Sequence, residues 1–149
     1  GTATTYRTTY AMKFSGSPGT FTVDETITQT NSDSLVATGK VIEYDATLQI
    51  LYYQHEKFSG YGTLSSTGGL NLFSGTGTVT GGTSSATGTP DSSADSAVSL
   101  AGGNTITFTN GYANPELQPD SGNIIYRENR KPISRATDQT EDIKIIVEF

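Results

Sequence analysis

The chain has 149 residues, a net charge of -6 and no cysteine. That length suits one domain with a real core, the acidic balance argues against general nucleic-acid binding, which needs a basic footprint, and the missing thiols exclude disulfide frameworks, thiolate zinc sites and cysteine nucleophiles. No run approaches the ~20 apolar residues of a membrane helix. Apolar residues make up only 33% and charged residues 16%, and the balance is largely Gly, Thr and Ser. With aromatics spread along the chain, this composition predicts an all-β protein, an antiparallel β-sandwich or partly open barrel with Gly/Ser/Thr-rich loops and little or no helix. The chain reads as one β-domain over 1–149. Gly1 in place of an initiating Met is read as the start of a C-terminal fragment of a longer chain.

Taken in order, Thr4 to Phe14 carries Tyr6, Tyr10, Met12 and Phe14 at even positions and predicts a strand. Gly16 to Gly19 is a turn by its Gly and Pro. Phe21, Val23 and Ile27 alternate with polar residues, with Glu25 as the exception. Asn31 to Ser34 is a polar turn. Leu35 to Tyr44 and Thr47 to His55 predict two strands joined at Asp45-Ala46, a hairpin without an Asn-Gly or Asp-Gly signal. Phe58 to Gly82 predicts short strands with beats at Phe58, Tyr61, Leu64, Leu70, Leu72, Phe73 and Val79. Thr83 to Ser96 has no bulky apolar residue and predicts a flexible loop. Val98 to Leu100 is a short beat, and Asn104 to Asn110 a strand with Ile106 and Phe108 on one face. Gly111 to Ser121 carries two prolines and leads into a closing strand pair over 122–149. There Ile143, Ile145, Val147 and Phe149 share one face. Any helix is confined to single turns near Pro115-Leu117 or Ala136-Glu141.

Chemistry-bearing constellations are sparse. His55 is the only histidine, so a histidine-rich metal set cannot form. The helix that a Gly-x-Ser-x-Gly elbow needs is missing. Asp24 and Glu25 are neighbours on a strand and point to opposite faces, which is wrong for a glycosidase pair. Asp91 and Asp95 lack the spacing of a calcium loop. No catalytic residue, metal or cofactor is expected. Tyr52, Tyr53, Phe58 and Tyr61 offer a carbohydrate platform as an alternative to core packing, which would make the chain a carbohydrate- or receptor-binding β-sandwich module.

The densest charge lies at the end. Arg127, Glu128, Asn129, Arg130, Lys131, Pro132 and Arg135 form a turn, with Pro132 breaking the ladder. Two readings stand open for it: a self-neutralising surface loop, whose pairs are worth ~0–1 kcal/mol each, or a protein–protein contact in which arginines anchor and fix register.

Three stretches resemble known families. Phe21 to Tyr53 resembles small β-barrel units of tailed-phage structural proteins, with Asp24 where Gly is usual. Gly75 to Thr83 resembles dirigent and allene-oxide-cyclase-like barrels, which implies a barrel enzyme as a further alternative. Ser121 to Phe149 closely resembles the C-terminus of a baseplate wedge subunit of T-even-type contractile-tailed bacteriophages and their cyanobacterial relatives, through Ser121, Gly122, Ile125, Tyr126, Glu128-Asn129-Arg130, Pro132, Ile133, Asp138-Gln139-Thr140-Glu141 and Ile143. That resemblance implies a non-enzymatic virion protein of the tail baseplate, assembled in the host cytoplasm. It also implies a homodimeric full-length subunit set against other wedge proteins, with neither nucleic acid nor membrane as partner.

Overall fold

A computed structural model describes residues 6–56, 71–94 and 96–117. Nine strands form: β1 (Tyr10–Ser15), β2 (Thr26–Thr30), β3 (Val36–Asp45), β4 (Ile50–His55), β5 (Val79–Gly81), β6 (Thr87–Pro90), β7 (Ala97–Ser99), β8 (Thr105–Thr107) and β9 (Tyr112–Ala113). Among the described residues there is no helix. The choice between sandwich and partly open barrel resolves to a closed barrel. Its strands run β1-β4-β3-β2-β5-β6 and return to β1, all antiparallel. Strand β1 closes the ring by giving one edge to β4 (Tyr10↔Tyr53, Lys13↔Ile50) and the other to β6 (Phe14↔Pro90) and β9 (Met12↔Tyr112). Closure leaves these six strands without the unpaired edges that invite aggregation.

Alternation explains the walls. In β2, Ile27 and Gln29 are buried between exposed threonines, and in β3, Ala37, Gly39 and Val41 are buried. The period breaks once. A bulge sets Ile42 and Glu43 together opposite Tyr52, so both point outward, and Tyr44 returns to the core. The β3–β4 hairpin turns through Ala46–Gln49. Asp45 Oδ1 accepts the Thr47 and Leu48 amides at 2.9 and 3.0 Å, and Gln49 sits at φ 57°. The aspartate side chain thus supplies the turn signal that an Asn-Gly pair would otherwise give.

Two apolar cores result. The barrel interior holds Met12, Phe14, Phe21, Ile27, Val41, Leu51, Tyr53, Phe73 and Val79. Phe14 stacks on Phe21 at 5.3 Å, and Phe73 meets Tyr53 edge-on at 4.9 Å. The second core lies on the barrel's outside, where Ile106 and Phe108 cover Ala11, Ile50 and Ala113. Strands β1 and β4 are therefore buried on both faces. This is why Ile50-Leu51-Tyr52-Tyr53 reads as a continuous apolar run, and why Ala11, between the alternating Tyr10 and Met12, is buried as well.

Three expectations are corrected. Thr83 to Ser96, read as a flexible loop, contains β6. Its inward positions are Gly88 and Pro90, because the Phe14 ring of the neighbouring strand fills the space; a Cβ on Gly88 would lie 2.8 Å from that ring. A strand roofed by its neighbour's aromatic needs no bulky residue of its own. Val23 is 55% exposed, off the core, while Glu25 is buried. The strand read from Thr4 starts at Tyr10, and Tyr6 lies exposed ahead of it.

Candidate protein–protein interface

The residues expected to carry contact, Arg127, Glu128, Asn129, Arg130, Lys131, Pro132 and Arg135, lie outside the described residues, as does the strand pair over 122–149. The structure describes the segment leading into them. Strands β7 and β8 pair as a hairpin (Val98↔Ile106) that lays Ile106, Phe108, Val98 and Leu100 on the outer face of β1 and β4. The chain then returns as β9 along β1.

Polar groups fasten this segment to the barrel. The Tyr112 hydroxyl donates to the Gly75 carbonyl at 2.8 Å and accepts from Gln29 Nε2 at 2.9 Å. Gln29 is itself buried; its amide also donates to the Gly77 carbonyl at 2.7 Å and accepts the Ser74 N–H at 3.0 Å. The network joins β9, β2 and the 74–77 turn with its members hydrogen-bonded, the condition under which a buried polar cluster rigidifies a fold. Burial pushes the Tyr112 phenol up to about 12, so the hydroxyl stays a donor. At the rim, Arg7 donates to the Asn114 carbonyl at 2.6 Å and to the Thr9 carbonyl. Its own carbonyl accepts the Glu116 N–H at 2.8 Å, and its N–H donates to Glu116 Oε2 at 2.8 Å. Burial lowers the pKa of Arg7, against the Glu116 carboxylate, which raises it.

Between hairpin and barrel lies a cleft of about 730 Å³. The barrel contributes Ile42, Glu43 and Tyr52; the hairpin contributes Leu100, Thr105 and Ile106; Tyr6, Arg7 and Glu116 form the rim. Tyr6 and Ile42 are 59% and 43% exposed there. The bulge that aims Ile42 into this cleft was legible as a spacing of three, not two, between the inward residues Val41 and Tyr44. The fastening by Arg7, Gln29 and Tyr112 had no sequence signal, since it joins residues far apart in the chain.

Other candidates resolve as structural groups. Glu25 accepts N–H groups of Thr22, Thr83 and Ser84 at 2.7, 3.0 and 2.8 Å, and the Ser84 hydroxyl as well. Burial pushes its pKa up, but the bonds from Ser84, Thr22 and Thr83 outweigh this and hold it below the ordinary value. It pins the β5–β6 turn to the start of β2 and faces away from exposed Asp24. Asp91 caps its own turn through Ser93; Asp95 lies outside the described residues, among which no group of three or more His, Cys, Asp or Glu could hold a metal. His55 is packed by the rings of Tyr10 and Tyr53 at 4.5 and 5.4 Å, and neither ring nitrogen has a partner. The carbohydrate platform does not assemble from its described members. Tyr53 faces the interior and Tyr52 the outside, while Phe58 and Tyr61 lie outside the described residues. The barrel interior is packed with the side chains of Met12, Phe14, Ile27, Val41, Leu51, Tyr53 and Val79.

Residues 95–149 match the family model Phage-Gp8, described as Bacteriophage T4, Gp8. The match contains the whole Ser121 to Phe149 stretch and extends upstream through β9, β8 and β7, starting where the chain leaves the barrel. This part of the chain is therefore similar to the C-terminal region of a T4-type baseplate wedge subunit. No curated protein and no solved structure matches the chain.

Proposed function

We propose that the chain works as an assembly module of the baseplate wedge, holding other wedge proteins through direct protein–protein contacts. The carrying observation is that the described part of the family-matched segment, 96–117, is fastened to a closed barrel by the Gln29–Tyr112 network and the outer apolar core. Anchoring of this kind holds the described part of that segment, 96–117, in a fixed orientation, and fixed orientation is what an assembly contact needs. The charged stretch Glu128 to Arg135 sets register against the neighbouring wedge protein, with Arg130 and Arg135 as anchors. The full-length subunit forms a homodimer, is assembled in the host cytoplasm, and performs no catalysis. The barrel and the closing segment act as one domain.

The test is association of the full chain with neighbouring wedge proteins for Arg130→Ala and Arg135→Ala. Loss of association with an unchanged urea midpoint supports the contact. Unchanged association together with unchanged stability removes it.

A further inference from the structure

The stretch 7–9 ahead of β1 runs beside 114–117, and Arg7 holds the two together. Its N–H donates to Glu116 Oε2 at 2.8 Å, and its carbonyl accepts the N–H groups of Glu116 at 2.8 Å and Leu117 at 3.3 Å. Its guanidinium reaches across to the Asn114 carbonyl at 2.6 Å and back to the Thr9 carbonyl. Further in, the same antiparallel register continues. Ala11 pairs with Ala113, Met12 with Tyr112, and the Lys13 N–H donates to the Gly111 carbonyl at 2.8 Å. Arg7 therefore fastens the outer end of a zip between β1 and β9.

The order in which this zip gives way follows from its geometry. Hydrogen bonds of an antiparallel pair lie perpendicular to the strands. A load that draws residues 6 and 117 apart falls on one rung at a time, those of Arg7 first, and not on all rungs together. The two strands are also unequally held. Strand β9 has two pairs to β1, whereas β1 has a further four to β4 and two to β6 within the closed ring. Arg7 itself carries a bias towards opening. Its Nε is buried with no hydrogen-bond partner among the described residues, and opening returns that donor to water.

We propose that Arg7 is a releasable clasp: under tension between the chain entering β1 and the chain leaving β9, 96–117 peels from the barrel while the barrel stays closed. Peeling passes the Gln29–Tyr112 bond and then lifts Ile106 and Phe108 off Ala11 and Ile50. At rest the clasp fixes the direction of the segment; under load it yields before the ring. The device works whatever the chain assembles with, so it stands or falls apart from the assembly reading.

The test is force spectroscopy on the full chain, gripped through Tyr6→Cys and Leu117→Cys, which are clean handles in a chain without native thiols. Both positions are exposed. Two steps are expected. The first lengthens the chain by roughly 7–8 nm, the extended span of about 22 residues, 96–117. The second, at higher force, opens the barrel. At constant force, Arg7→Ala should make the first step about tenfold faster and leave the second unchanged. Glu116→Ala removes one acceptor at an exposed position and should act in the same direction more weakly; it carries the test if Arg7→Ala does not fold. A single step spanning both layers overturns the clasp. So does a barrel step that comes first, and so does a first step whose rate neither variant changes.

Discussion

Inside the barrel, Phe14 lies against Phe21 and over Gly88, with every surrounding strand paired on both sides. Outside it, Phe108 and Ile106 lie on Ala11 and Ile50, carried by a hairpin whose two strands pair only with each other. Both phenylalanines are buried to within 1%. They differ in what holds their neighbours. A barrel strand is fixed from two sides and by its own interior. A lone two-stranded hairpin is marginal in water and takes its stability from what it packs on. The inner core should therefore set global stability, and the outer core should set only whether the family-matched segment stays docked.

The sharpest way to break this comparison is to cut the same side chain from each core. Phe14→Ala should lower global stability by ~3–5 kcal/mol, as large-to-small changes in closed cores do. Phe108→Ala should act locally. Amides of 96–113 should lose hydrogen-exchange protection while those of β2, β3 and β4 keep theirs. Equal loss in the barrel strands for both variants would show one cooperative unit in place of two layers.

The two layers were not equally legible. Strands β2, β3 and β8 followed from alternation; the hairpin was expected at Asp45-Ala46 without a turn signal, and its turn runs on to Gln49 because the Asp45 side chain caps it. Ile106 and Phe108 were assigned one face, and both are buried there. Strand β6 was missed because its apolar filling comes from another strand: pattern reading sees only the residues of the strand itself. Val23 was misplaced because the chain between β1 and β2 is held by Glu25 and its hydrogen bonds, not by a pleat. The family resemblance was legible through the words of 121–149, and the match over 95–149 agrees with it, while the charged residues named there lie outside the described residues. The cleft was not legible, since its two walls are about fifty residues apart in sequence.

Acid should weaken the barrel through two groups, His55 at the end of β4 and Glu25 just before β2. Burial among Tyr10, Tyr53 and Phe73 pushes His55 down from 6.5 to about 4. Its neutral form is the one the fold holds, so its contribution is complete above pH 6.5 and is lost as pH falls from there to about 4. The shift corresponds to ~3 kcal/mol, reduced by attraction of the imidazolium to the surrounding rings. Glu25 adds a second, lower window. Its pKa is depressed in the fold, so its stabilisation is present above its unfolded value and disappears as pH falls through the folded one. His55→Phe should abolish the first window and leave the second. Urea midpoints followed from neutral pH downwards would show this; an unchanged slope above pH 5 in His55→Phe would refute the assignment.

The smallest change probes the join between the two regions. Tyr112→Phe keeps the ring that packs against the barrel core and deletes the oxygen that reaches Gly75 and Gln29. Gln29 retains its bonds to Gly77 and Ser74, so only the Gly75 carbonyl and one amide proton are left short. The expected loss is ~1 kcal/mol. Its location matters more than its size. Protection should fall at Tyr112 and in the 74–77 turn together, because one oxygen joins them, and the β7–β8 hairpin should keep its protection through Phe108. If the turn is unaffected, the family-matched segment is held by apolar contact alone, and its orientation on the barrel rests on Phe108 and Ile106.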